Sequence, residues 1–130
     1  MALRLAIDTN RYRDFCGGES VAVDRLQTAE QIFLPSIVLA ELRAGFLCGS
    51  RSRENESTLN RFVNRQRVVV LYPTETTTHH YAQLFFQLRR QATPIPSNDI
   101  WIAALVADQN LTLFSRDRHF DHLPQIPRVD

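Results

Sequence analysis

Leu3-Arg4-Leu5-Ala6-Ile7-Asp8-Thr9-Asn10 decides the fold: a short apolar run, residues 3–7, reads as a buried strand and ends on an acid. Similar runs recur along the chain. Ile32-Phe33-Leu34, Val68-Val69-Val70-Leu71 and residues 111–114 (Leu-Thr-Leu-Phe) are each strand-like, and a short final strand falls near Val129. Helical stretches lie between them. The spacing predicts helices over about 10–15, 19–30, 35–48, 51–65, 76–91 and 98–109. Leu59, Phe62 and Val63 form the inner stripe of the fourth, and Tyr81, Leu84, Phe85 and Leu88 that of the fifth. Gly49 is a stop signal, and the prolines in Thr93-Pro94-Ile95-Pro96-Ser97 mark a loop. Strands alternating with helices imply an α/β fold with a mostly parallel central sheet of four to five strands flanked by helices. At 130 residues, without repeat or linker, residues 1–130 are expected to form one domain.

A net charge of +1 gives no global basic field, and 44% hydrophobic residues is ordinary for a soluble domain. No run is long enough to span a bilayer and the start lacks a secretory pattern, so a cytoplasmic location is expected. All fifteen basic residues are Arg. Without Lys there is no P-loop, and the chain lacks the lysine used by families resembling phosphoaspartyl hydrolases and receiver domains. Cys16 and Cys48 have no metal-type spacing and are expected to be small buried or half-buried residues.

Four acids stand where acids are a poor structural choice. Asp8 ends the first strand, Glu41 sits within Ile37-Val38-Leu39-Ala40-Glu41-Leu42, Asp99 opens the run 99–105, and Asp117 follows the strand 111–114. A carboxylate among apolar neighbours is costly unless paired or metal-bound. Each has a structural reading too: Asp8 as a helix cap, Asp99 as a first-turn acid, and Asp117 as a turn acid paired with Arg116 or Arg118. Glu41 resists such a reading, because its i±3 and i±4 neighbours are Ile37, Val38, Ala44 and Gly45. Four carboxylates together suit a hard cation such as Mg²⁺, or Mn²⁺. The adjacent His79 and His80 point apart on a helix and do not make a zinc site. Carboxylate-held Mg²⁺ without a nucleotide motif points to phosphate-ester hydrolysis.

Ile7-Asp8-Thr9-Asn10, the stretch Leu39–Gly45 (Leu-Ala-Glu-Leu-Arg-Ala-Gly), the stretch 98–104 (Asn-Asp-Ile-Trp-Ile-Ala-Ala) and Leu113–Phe120 follow one another in an order and spacing that resemble the PIN-domain nucleases. The closest likeness is to their compact VapC-like toxin branch. The resemblance covers essentially the full length and implies a single PIN-like domain. It implies that Asp8, Glu41 and Asp99 are metal ligands, that Asp117 completes the acidic pocket, and that Asn10 and Ser115 support the ligands. The last motif commonly carries Thr where Ser115 stands. The resemblance further implies an endoribonuclease toxin that forms a homodimer. Its cognate antitoxin would wrap it, block its site and carry any contact with operator DNA.

RNA needs cations for its phosphates. Arg89, Arg116 and Arg118 are the preferred contacts, because sequence places them beside the proposed acids. Trp101, in an apolar helix, is expected in the core or at a dimer interface. Two other readings remain open: a PIN-like nuclease in RNA processing outside a toxin–antitoxin pair, and an inactive domain that binds RNA or protein.

Overall fold

The computed structural model describes residues 2–130. Five parallel strands, β1 (Arg4–Ile7), β2 (Gln31–Pro35), β3 (Val68–Leu71), β4 (Thr112–Phe114) and β5 (Arg128–Val129), form one sheet in the order β3-β2-β1-β4-β5. The helices are α1 (Thr9–Cys16), α2 (Ser20–Thr28), α3 (Ser36–Cys48), α4 (Ser52–Val63), α5 (Glu75–Gln91) and α6 (Ser97–Gln109), with a 3₁₀ turn at Arg118–His122. The α/β class and the parallel sheet expected from the sequence are both present.

Leu5, Ala6 and Ile7 of β1 and Leu113 and Phe114 of β4 are almost fully buried, as expected for strands covered on both faces. Ile102, Ala103, Ala104, Leu105 and Val106 make α6 a core helix, and α5 packs along it. Helices α5 and α6 both end on a left-handed residue, Ala92 (φ 56°) and Asn110 (φ 57°), which turns the chain back.

Helix boundaries shift by one or two residues for identifiable reasons. Helix α1 begins at Thr9 because Asp8 is its cap. Helix α2 starts at Ser20, with the Glu19 carboxylate accepting from the amides of Val21 and Ala22. It stops at Thr28 because the Glu30 amide donates to the Leu3 carbonyl (2.8 Å) and leads into β2.

Two expectations about burial are corrected. Cys16 and Cys48 are exposed, since each ends its helix outside the core. Phe85 is 46% exposed, because the buried stripe of α5 runs through Thr77, Leu84 and Leu88 and leaves Phe85 on the flank. Trp101 is half-buried against Tyr81, their ring centroids 4.3 Å apart. Among the described residues, no helix is long and apolar enough to cross a membrane.

Candidate metal centre

Chain order changes direction across the sheet between β1 and β4, where successive strands lead off to opposite sides. Loops leaving the carboxyl ends of such strands diverge and open a crevice. Asp8 and Ser115 stand side by side there, since the Asp8 amide donates to the Phe114 carbonyl (3.1 Å).

Asp8 is both cap and candidate ligand. Its Oδ1 accepts from the Thr9 amide (2.8 Å), while Oδ2 accepts from Ser115 Oγ (2.6 Å) and, more weakly, from Asn10 Nδ2 (3.4 Å). Ser115 is fully buried, and its Oγ also accepts from the Asp117 amide (3.1 Å). One hydroxyl thus fixes two acids. Asn10 accepts from the Arg116 amide (3.3 Å), which ties α1 to the loop after β4.

The other two acids arrive on helices. Asp99, in the first turn of α6, is 8% exposed. Its Oδ2 lies 2.7 Å from His119 Nδ1, which is also 3.2 Å from Asp117 Oδ1. Asp117 in turn caps the 3₁₀ turn by accepting from the His119 amide (2.9 Å). Glu41 is half-buried on α3, accepting from Thr9 Oγ1 (3.1 Å) and from Asn98 Nδ2 (3.4 Å). No arginine neutralises it among the described residues.

These contacts close into a ring. From Asp8 it passes through Ser115 to Asp117, through His119 to Asp99, through the adjacent Asn98 to Glu41, and through Thr9 back to Asp8. The four acids singled out in the sequence are brought together, with Asn10 and Ser115 among them. His119, Thr9 and Asn98 were missed. Only the short Asp117-Arg118-His119 spacing could have pointed to the imidazole.

The electrostatics are those of buried, clustered acids. Burial pushes the Asp99 carboxyl up to about 6; its hydrogen bond from His119 opposes this, and the charges of Asp117 and Asp8 add to it. Burial also raises Asp8, offset in part by Ser115 and Thr9 and reinforced by Glu41 and Asp117. His119 is raised, chiefly by its bond to Asp99. One donor atom from each of Asp99, Asp117 and His119 fits within a 4.8 Å span. A mostly carboxylate donor set fits a hard divalent ion, and the single imidazole is compatible with Mn²⁺ as well as Mg²⁺.

The three arginines differ in their engagement. Arg116 holds Asp14 through two hydrogen bonds (2.8 and 3.1 Å). Arg118 is exposed at the start of the 3₁₀ turn and makes no side-chain hydrogen bond among the described residues. Arg89 is exposed near the end of α5, lining a groove that Ile95 and Ile100 share.

The PIN domain family model matches residues 13–126. Ribonuclease VapC1 of Haemophilus influenzae strain R2866 is 32% identical over 95 residues, covering 73% of this chain and 69% of that protein. Ribonuclease VapC2 of Rickettsia felis is 29% identical over 96 residues, 73% of this chain and 70% of its own length. In three dimensions the chain is similar to a DNA-bound VapBC structure from Salmonella typhimurium, with a TM-score of 0.87, 24% identity and 98% of each chain covered. A family model that spans most of the sequence, on a sheet whose switch point gathers the four acids, shows that the chain belongs to the PIN domain family.

Proposed function

We propose that this protein is a Mg²⁺-dependent endoribonuclease acting as the toxin of a toxin–antitoxin pair. The observation that carries the nuclease reading is the ring: four carboxylates at the sheet's switch point, two of them strained by burial and mutual repulsion, with no arginine neutralising Glu41. A purely structural cluster would give each acid its own cation, whereas here His119 alone serves Asp99 and Asp117, and Asp8 and Glu41 have no ion pair among the described residues.

Asp8, Glu41, Asp99 and Asp117 would hold the ion, and Mn²⁺ suits the same donors. When bound, a divalent ion there neutralises a phosphoryl oxygen and lowers the pKa of a coordinated water. The protein's own groups supply placement. Ser115 and the Thr9 amide hold Asp8, Thr9 Oγ1 orients Glu41, and the His119 amide fixes Asp117. Arg118 and Arg89 are exposed and placed to meet RNA phosphates, while Arg116, held by Asp14, would contribute less.

The toxin reading rests on the relatives named VapC ribonucleases and the VapBC complexes whose fold the chain shares. It brings a cognate antitoxin, with operator DNA contacted through that partner, and a second copy of this chain. Phe85 and Phe86, 46% and 60% exposed on α5, offer apolar surface for such assembly.

The decisive experiment is a metal-dependent RNase assay with Asp8→Ala as the control, followed by sequencing of RNA from cells in which the protein is induced. Cleavage by the parent, its loss with chelator and its absence in the variant are expected. Metal-independent cleavage, or equal cleavage by Asp8→Ala, would overturn the assignment.

A further inference from the structure

We infer that Arg13 is a phosphate-binding residue of the RNA track, and that Gly45 leaves its guanidinium room. The inference rests on the ribonuclease reading and extends it to how the strand is held beside the metal centre.

Helices α1 and α3 meet along a shared line. At the site, Thr9 Oγ1 donates to Glu41 (3.1 Å). Arg13 and Gly45 stand four residues further along each helix, hence one turn on, on the same faces. There they meet again: a Cβ at Gly45 would lie 3.0 Å from the Arg13 guanidinium, its nearest neighbour. That single turn, about 5.4 Å, is of the order of the step from one phosphate to the next along a strand.

Gly45 is otherwise unexplained. It lies in the interior of α3 with ordinary helical geometry and an exposed surface, where alanine is the better helix former. The Arg13 side chain is equally unexplained as a structural group: the Arg13 carbonyl accepts from the Gly17 amide, but its guanidinium makes no hydrogen bond or ion pair among the described residues. The acids nearby are occupied. Asp14 takes Arg11 and Arg116, and Glu54, across the groove lined by Arg13, Gly45, Phe46 and Arg51, takes Arg51. A planar donor fork, one turn from the acidic ring and without a carboxylate, matches a phosphate of the substrate strand.

The test measures binding of a fluorescent, mixed-sequence single-stranded RNA in Mg²⁺ across a salt series, using the full chain carrying Asp99→Asn to suppress cleavage. Arg13→Ala should weaken binding several-fold and reduce the slope of log K against log salt by about 0.7, with melting temperature unchanged. Arg13→Lys should restore most of the slope. Gly45→Ala, which only displaces the guanidinium by a few tenths of an ångström, should weaken RNA binding less than Arg13→Ala while melting at the same or a higher temperature, and should add nothing in the Arg13→Ala background. In the cleaving parent, Arg13→Ala should raise KM more than it lowers kcat.

An unchanged salt slope in Arg13→Ala overturns the inference, as does a Gly45→Ala effect that persists without Arg13, or a melting temperature several degrees lower. So does an effect confined to binding of a protein partner. RNA binding that depends on Arg13 in a parent that never cleaves removes the nuclease reading and leaves Arg13 standing. Failure of the parent to bind any RNA removes both.

Discussion

Ser115 Oγ donates a 2.6 Å hydrogen bond to Asp8 across 107 residues of chain, and in the same position accepts from the Asp117 amide. That hydroxyl joins the ends of the two central strands and turns two acids toward one point. It is fully buried, so its loss cannot be made good by water.

Ser115→Ala should therefore destabilise the fold by about 1–3 kcal/mol, leaving the Asp117 amide without its acceptor. It should also weaken metal binding, because Asp8 loses the contact that orients it. Chemical denaturation and metal titration of the variant check both. Unchanged metal affinity would show that Asp8 is held by Thr9 alone.

Replacing Asp99 separates function from stability. Asp99→Asn should abolish cleavage, yet leave the metal-free protein as stable as the parent or more so at pH 7.5. It removes a buried charge that feels Asp117 and Asp8 while keeping an acceptor for His119. A gain of about 1 kcal/mol corresponds to a rise of several degrees in Tm for a domain of this size. A clear loss of Tm would make Asp99 a structural residue.

Acid should stabilise the metal-free protein. Asp99 rises from 3.8 to about 6 on folding, so its contribution is complete below pH 4 and disappears as pH climbs through about 6. Asp8 and His119, both raised, act in the same direction, and the His119 contribution disappears only above pH 6.5. Asp14, lowered chiefly by its hydrogen bond from Arg116, works the other way and costs stability only as pH falls below its ordinary value. Tm measured in chelator should thus be higher near pH 5 than at pH 8. A flat or rising profile between those values would contradict the picture of buried, mutually repelling acids.

Metal should reverse that profile. Ligation needs the carboxylates ionised, so millimolar Mg²⁺ or Mn²⁺ should raise Tm at pH 8 and do little at pH 5. Differential scanning fluorimetry at both pH values is sufficient. A shift of equal size at both would place the ion away from Asp99.

Arg116 and Arg118 should behave differently toward RNA. Arg118→Ala should lower both affinity and salt slope, whereas Arg116→Ala should change them less, since in the free protein Arg116 is committed to Asp14. Equal effects in salt-dependent binding would mean that the Asp14 pair opens when RNA arrives.

What the sequence by itself determined is local. Apolar runs that end abruptly set β1 and β4, prolines set the break before α6, and Glu41 among apolar neighbours stood out, because an unpaired acid inside a helix stripe is energetically conspicuous. Those signals located the four acids and the α/β class. Tertiary structure alone decided which faces met. Phe85 went to the surface and Thr77 inward because α5 rotated to pack on α6. His119 reached Asp99, twenty residues away, only because the 3₁₀ turn crosses the start of α6. The contact between Arg13 and Gly45 likewise depends on α1 and α3 sharing a register. Periodicity along a chain tells which side of an element is apolar, but which polar groups face each other is set by packing between elements, and that information is carried by no single stretch of residues.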